Sequence, residues 1–123
     1  MSLLFSLGWV ALGGACGSVS RALVGLAIQS RFPWATLLVN VTGSFLIGWL
    51  MVRYGSLEPA AGARFQSLLV VGFCGGFTTF SSFSWQTLDQ MMKGQWVAAI
   101  ANVMLSVVLC LLAVWLGYRL GRA

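Results

Sequence analysis

The chain has 123 residues, of which 59% are hydrophobic and 7% are charged; it contains no histidine and carries a formal net charge of +5. Soluble domains have roughly a quarter of their residues charged, so this composition excludes a soluble protein and predicts one transmembrane domain, residues 1–123, of the all-α integral membrane class. Without histidine, catalytic triads and most zinc or haem sites are excluded, and the seven basic residues are scattered singly near helix ends, so we expect neither an enzyme nor a nucleic-acid partner.

Four apolar segments follow one another, at about residues 3–28, 33–52, 65–92 and 96–118. Each is long enough as a helix to cross the roughly 30 Å of hydrocarbon in a bilayer. The first 17 residues contain no Lys or Arg, so we expect the first helix to be retained and not cleaved as a secretory signal. Trp34, Trp96 and Tyr118 lie near the segment ends, where interfacial aromatic residues are common. The sequence therefore predicts four transmembrane helices.

The third segment changes character after Phe73, where two glycines are followed by a run of hydroxyl and aromatic residues to Ser84. Paired glycines weaken a helix, and hydroxyl side chains satisfy backbone groups that a break releases inside a membrane. Gly75 lies about ten residues into this segment, or ~15 Å deep. We therefore predict a third helix that is broken near the membrane midplane.

The loop charges are nearly balanced between the two sides of the membrane. With four spans, one side carries Arg53, Arg64, Arg119 and Arg122, and the other carries Arg31, Lys93 and, depending on its depth, Arg21. This bias is weak under the positive-inside rule, so we expect insertion in both orientations. Since a chain this small can hardly enclose a pathway, the sequence predicts an antiparallel, dual-topology homodimer.

Asn40 and Arg21 are polar residues placed within predicted spans. Asn40 lies about six residues into the second span, where its amide either bonds a neighbouring helix or offers N–H donors to an anion. Arg21 precedes the end of the first span, where it either extends outward to the interface or raises the anion concentration in a vestibule. The residues alone leave both pairs of alternatives open.

Phe80 and Phe83 are three residues apart and share a helical face beside Thr79 and Ser82. This arrangement is either ordinary aromatic packing or a path in which positive ring edges approach an anion. Glu58 is predicted in a loop and Asp89 near the end of the third span, so a cation path built on carboxylates is disfavoured.

The fourth span carries a polar stripe of Asn102, Ser106 and Cys110, each four residues from the next. Residues at this spacing lie on one face of a helix. The stripe either holds helices together or lines a wet path, and Ser106 falls near mid-membrane.

Three motifs resemble the Fluc, or CrcB, family of fluoride channels across all four spans. The first is GGxxGSxxR at residues 13–21, the second TLLVNVTGSF at residues 36–45, and the third GFCGGFTTFSSF at residues 72–83. The third is very close to the family's signature. Ala35, Ala22, Thr42 and Cys110 depart from the family's usual residues, and the role of Cys110 is left open.

The resemblance implies an antiparallel dimer with two fluoride pathways, each involving residues that match Asn40, Phe80 and Phe83, with Ser106 on the polar track. It also implies a structural sodium ion on the two-fold axis, held by backbone carbonyls that match Gly75 and Thr78. The function it implies is a passive, fluoride-selective channel in the cell inner membrane that exports cytoplasmic fluoride and so relieves fluoride toxicity. Its partners are then fluoride, a second copy and membrane lipid.

Two other functions fit four short spans. A small dual-topology multidrug transporter exports cations in exchange for protons, and it needs a membrane-embedded carboxylate that the first span lacks. A structural membrane subunit would use its glycine-rich faces only for close helix contact.

Overall fold

The computed structural model describes residues 1–123 and is entirely helical. Four helical segments are long and apolar enough to cross a membrane: Leu3–Ala27, Trp34–Tyr54, Pro59–Met92 and Trp96–Arg122. The prediction of an all-helical chain with four helices able to span a membrane is confirmed. In chain order the elements are α1 (Leu3–Ala27), α2 (Trp34–Tyr54), α3 (Pro59–Phe65), a π-helix (Gln66–Cys74), α4 (Gly75–Phe77), α5 (Phe80–Met92) and α6 (Trp96–Arg122).

The third segment begins at Pro59, six residues before the predicted start. Glu58 caps it, because its side chain accepts a hydrogen bond from the Ala61 N–H, and Pro59 occupies the first helical position. Proline at that position loses no helical hydrogen bond. Part of the connection between the second and third predicted spans, in which Glu58 is predicted to lie, is therefore helix. The segment then widens into the π-helix, a geometry that is rare and is often found at functional sites.

Between α4 and α5 the backbone leaves the helical conformation for two residues. Thr78 has φ −85° and ψ 157°, and Thr79 has φ −150° and ψ 109°. The Thr79 side chain accepts the N–H of Ser82 and so caps α5. Hydroxyl residues are favoured caps for this reason, and here a threonine restarts the helix directly after the extended pair.

Glycines bring the spans into close contact in two pairs. Between α2 and α6, a Cβ built on Gly48 would meet the Val114 carbonyl oxygen at 2.2 Å, and one built on Gly117 would meet the Phe45 oxygen at 2.1 Å. Between α1 and the third segment, a Cβ on Gly13 would meet the Leu68 oxygen at 1.9 Å. Small residues allow this approach in membranes, where packing and not the hydrophobic effect holds helices together.

Few residues are enclosed by the single chain. Only 20 of 123 are buried, and large apolar side chains such as Leu4 and Val97 are more than four-fifths exposed. An outward apolar surface is expected against lipid. The polar residues of interest lie where α2, α4, α5 and α6 meet, on one side of the molecule.

Candidate functional site

Asn40 of α2 is hydrogen-bonded to the extended backbone between α4 and α5. Its Oδ1 accepts the Thr79 N–H at 2.7 Å, and its Nδ2 donates to the Thr79 carbonyl at 3.1 Å. A side-chain amide has two N–H donors, so one donor remains without a protein partner. Asn40 thus forms the helix-to-helix bond expected of a polar residue in a membrane, and it keeps one N–H available.

Two carbonyls at this point lose their usual helical donors. In a continuous helix the Thr79 and Ser82 N–H groups would donate to Gly75 and Thr78, but they donate to Asn40 Oδ1 and Thr79 Oγ1 instead. No group of three His, Cys, Asp or Glu side chains could hold a metal, so an ion here would depend on backbone oxygens. Carbonyl oxygens are suitable ligands for a hard cation, so Gly75 and Thr78 fit the predicted sodium ion chemically.

A groove of about 690 Å³ contains most of the predicted site. It is open on one side of the chain, between the third segment, α2 and α6. The predicted residues that line it are Asn40, Gly75, Thr78, Thr79, Phe80, Phe83 and Ser106, and Cys110 lies beside them. No acidic or basic side chain lines this groove. The groove therefore offers amide, hydroxyl and aromatic groups without a fixed charge.

Phe80 and Phe83 lie in the groove with very different exposure. Their ring centroids are 5.3 Å apart and their planes are tilted by 50°. Phe83 is 8% exposed, whereas Phe80 is 78% exposed. The Phe83 ring is held within the chain, whereas Phe80 projects from it with little covering.

Ser106 and Asn102 of α6 join α5 through a short hydrogen-bonded chain. Asn102 Nδ2 donates to Thr87 Oγ1 at 2.9 Å, and Ser106 Oγ donates to Asn102 Oδ1 at a long 3.5 Å. Thr87 Oγ1 in turn donates to the Phe83 carbonyl at 2.8 Å. Asn102 therefore joins α6 to α5 and does not line the groove, whereas Ser106 and Cys110 do.

Arg21 and Ser82 lie outside the groove. They line a smaller cleft of about 210 Å³, which also includes Thr79. The Arg21 Nε donates to the Gly76 carbonyl at 3.0 Å, so the guanidinium supports the backbone of α4 from the α1 side. The structure therefore places seven predicted residues in the groove. Arg21 and Ser82 lie on the other side of the backbone around Thr79, which lines both cavities.

Sequence reasoning did not identify Thr87, nor the two glutamines Gln86 and Gln90, whose amide groups contain buried atoms without a hydrogen-bond partner. Thr87 is 7% exposed and Gln90 is 4% exposed, and neither amide atom of Gln90 has a hydrogen-bond partner. The Oε1 of Gln86 is likewise buried without a partner. The available signal was spacing, because Thr87 lies four residues after Phe83 and so falls on the same face of α5.

Comparison with known proteins agrees with the motifs. A family model described as CrcB-like protein, Camphor Resistance (CrcB), matches residues 8–118. The chain belongs to this family. The resemblance drawn from the three motifs is thereby confirmed, and all three lie within the matched residues.

Several members of the CrcB family are similar over nearly their whole length. A protein of Methylocella silvestris is 48% identical over 125 residues, covering 94% of this chain and 92% of that protein. One of Opitutus terrae is 51% identical over 117 residues, covering 89% and 87%. One of Magnetococcus marinus is 43% identical over 122 residues, covering 94% and 97%. Each is named a fluoride-specific ion channel, FluC.

Proposed function

We propose that this chain forms a passive, fluoride-selective channel that exports cytoplasmic fluoride across the cell inner membrane and so relieves fluoride toxicity. The observation that carries the proposal is the groove around Asn40, which presents amide, hydroxyl and aromatic groups among aliphatic side chains and contains no carboxylate. Its CrcB relatives are named fluoride-specific channels. A carboxylate-free lining disfavours a cation transporter.

Fluoride is small and strongly hydrated, so a path must replace its water with donors that do not hold it too tightly. The free N–H of Asn40 is such a donor, and the Ser106 hydroxyl becomes one when it leaves its long 3.5 Å bond to Asn102 Oδ1. The positive edges of Phe80 and Phe83 stabilise an anion without adding a formal charge. Thr79 holds the backbone in place through Asn40, and Arg21 attracts anions from the cleft behind it.

The channel is proposed to be an antiparallel homodimer in which each fluoride path draws on both copies. Three features support a second copy: the groove is open on one side, the Phe80 ring is 78% exposed, and an added Cβ at Gly75 would meet nothing within 4 Å. The third segment, interrupted at Thr78 and Thr79, is proposed to lie with its break near the membrane midplane. There a two-fold axis in the membrane plane can bring both copies of the break together.

A structural sodium ion at this axis is part of the proposal. The carbonyl oxygens of Gly75 and Thr78 would hold it, because their usual helical donors bond elsewhere. When bound, the ion would join the two copies by ligation to both backbones. The path for fluoride itself runs through the side chains of the groove.

Fluoride efflux from liposomes that contain only this protein tests the proposed function. An ion-selective electrode would record fluoride release, and chloride release from the same preparation is the control. We expect rapid fluoride efflux with chloride retained. The absence of fluoride efflux from dimeric protein would refute the channel and leave a structural subunit as the better explanation.

Replacing Phe80 with Ile should lower fluoride efflux by at least about tenfold, because an aliphatic side chain has no positive edge to replace lost water. Phe5→Ile is the matched control, since Phe5 is an exposed ring of α1 away from the groove. Both variants should elute as the dimer. Undiminished efflux through Phe80→Ile would remove Phe80 from the pathway.

Gly75→Leu should weaken dimer formation roughly tenfold or more, because overpacking costs about 1–3 kcal/mol per site and two copies would meet at the axis. Gly8→Leu is the control, because an added Cβ at Gly8 also meets nothing within the chain. Dimer fraction would be measured by single-molecule photobleaching in liposomes. If both variants dimerise equally well, the axis does not pass Gly75.

A further inference from the structure

The last turns of α6 form a pocket of arginine and aromatic residues. A cavity of about 450 Å³ is lined by Trp115, Tyr118, Arg119, Arg122 and Ala123. The Arg119 guanidinium lies 5.6 Å from the Trp115 ring centroid, and that of Arg122 lies 5.6 Å from the Tyr118 ring. Arg122 Nη1 also donates to the Tyr118 hydroxyl at 2.8 Å. Stacking of this kind restricts both guanidinium groups before any ligand binds.

The end of α2 adds a third arginine at the same end of the molecule. Arg53 stacks over Trp49 at 5.7 Å. A Cβ on Gly121 would lie 3.1 Å from the Trp49 carbonyl oxygen and 3.1 Å from Val52 Cβ. The last turn of α6 therefore packs directly against the last turn of α2, which places Arg53 at the same end of the molecule as the pocket, although Arg53 does not line it.

Helix length places this pocket at the level of lipid headgroups. Trp96 and Trp115 are separated by 19 positions, or ~28 Å of helix, which matches the roughly 30 Å of hydrocarbon in a bilayer. The two tryptophans therefore mark the two interfaces. Tyr118, Arg119 and Arg122 follow Trp115 by up to seven residues, so they extend about 5–10 Å further, into the headgroup region.

No acidic side chain neutralises the positive charge of this pocket. The chain's single ion pair joins Lys93 and Asp89, which lie at the α5–α6 turn. Arg53, Arg119 and Arg122 have no carboxylate within 4.0 Å. Each guanidinium has five N–H donors. Among these three arginines, only one N–H, on Arg122, donates to another side chain, the Tyr118 hydroxyl. Donors in a fixed planar fork suit the paired oxygens of a phosphate.

We propose that this pocket binds the phosphate group of an anionic phospholipid from the surrounding bilayer. Arg119 and Arg122 contact the phosphate, and Trp115 and Tyr118 lie beside the glycerol region. Arg53, outside the pocket, adds only longer-range attraction. The acyl chains then lie along the exposed apolar surface of α6, which includes Leu112 and Leu116. Charge complementarity favours an anionic lipid over a zwitterionic one. The site is separate from the groove, so it does not depend on fluoride transport.

Native mass spectrometry of the purified protein in detergent tests this proposal, with titration by palmitoyl-oleoyl phosphatidylglycerol or the matching phosphatidylcholine. We expect wild-type protein to bind the anionic lipid roughly tenfold more tightly. Arg119→Gln with Arg122→Gln should abolish that preference. Arg31→Gln with Lys93→Gln removes the same charge from the opposite end of the spans, and it should retain the preference.

Three outcomes would overturn the lipid site. Equal affinity of wild-type protein for both lipids would show that the pocket does not recognise anionic headgroups, whatever the variants do. Equal loss in both double variants would assign the effect to net charge. Displacement of the anionic lipid by millimolar inorganic phosphate would make free phosphate the ligand.

Discussion

Asn40→Asp should reduce fluoride efflux by about a thousandfold. A carboxylate at this position would lie on the proposed path of the anion, and two unit charges about 4 Å apart repel by about 4 kcal/mol at an effective dielectric near 20. Each 1.36 kcal/mol added to a barrier slows passage tenfold. The carboxylate would also accept the Thr79 N–H but would no longer donate to the Thr79 carbonyl. Liposome efflux measured with a fluoride electrode gives the rate directly.

Thr42→Val serves as the control for this variant. Thr42 is two residues further along α2 and does not line the groove, so its loss should leave efflux within about twofold of wild type, as expected for an exposed substitution away from packed features. Both proteins should elute as dimers on gel filtration. Efflux through dimeric Asn40→Asp at the wild-type rate would mean that fluoride does not pass Asn40, and it would leave the residue with only its structural role at Thr79.

Much of the architecture could be predicted because membrane helices leave strong local signals. Long apolar segments and the interfacial residues Trp34 and Trp96 are local features, and the four spans followed from them. The start of the third segment could not be predicted as well. The composition of residues 55–64 is polar enough to indicate a loop. The helix nevertheless begins at Pro59, because Glu58 caps it and this local capping outweighs the polar composition.

The sequence predicted the residues of the candidate site better than it predicted the hydrogen bonds that join them to other helices. The motif around Gly75 and Phe80 predicted most members of the candidate site, and the groove brings seven of the nine predicted residues together. Pairing between helices was not visible, because the Arg21 bond to Gly76 and the Thr87 bond to Asn102 join residues on different helices. Such contacts depend on how the glycine faces pack, and no local pattern specifies their register.

The close packing of α2 on α6 leads to the second large effect. Gly48→Ala and Gly117→Ala should each destabilise the protein by about 1–3 kcal/mol, because the added Cβ would lie 2.2 Å and 2.1 Å from backbone carbonyl oxygens. A backbone atom cannot move aside by changing rotamer, so α2 and α6 would have to separate. The midpoint of thermal unfolding in detergent, followed by loss of the monodisperse peak, should fall by at least about 5 °C for either variant.

Gly8→Ala is the control that separates the effect of the α2–α6 contact on stability from the effect of a glycine-to-alanine change on helix propensity. A Cβ there meets nothing within 4 Å, and alanine favours a helix over glycine by up to about 1 kcal/mol, so this variant should be as stable as wild type or more stable. The loss of stability in the Gly48→Ala, Gly117→Ala double variant should be smaller than the sum of the losses in the two single variants. Once α2 and α6 have moved apart to accommodate one methyl group, the second methyl group causes less additional strain. Unchanged melting of both single variants would contradict the close contact between the two helices.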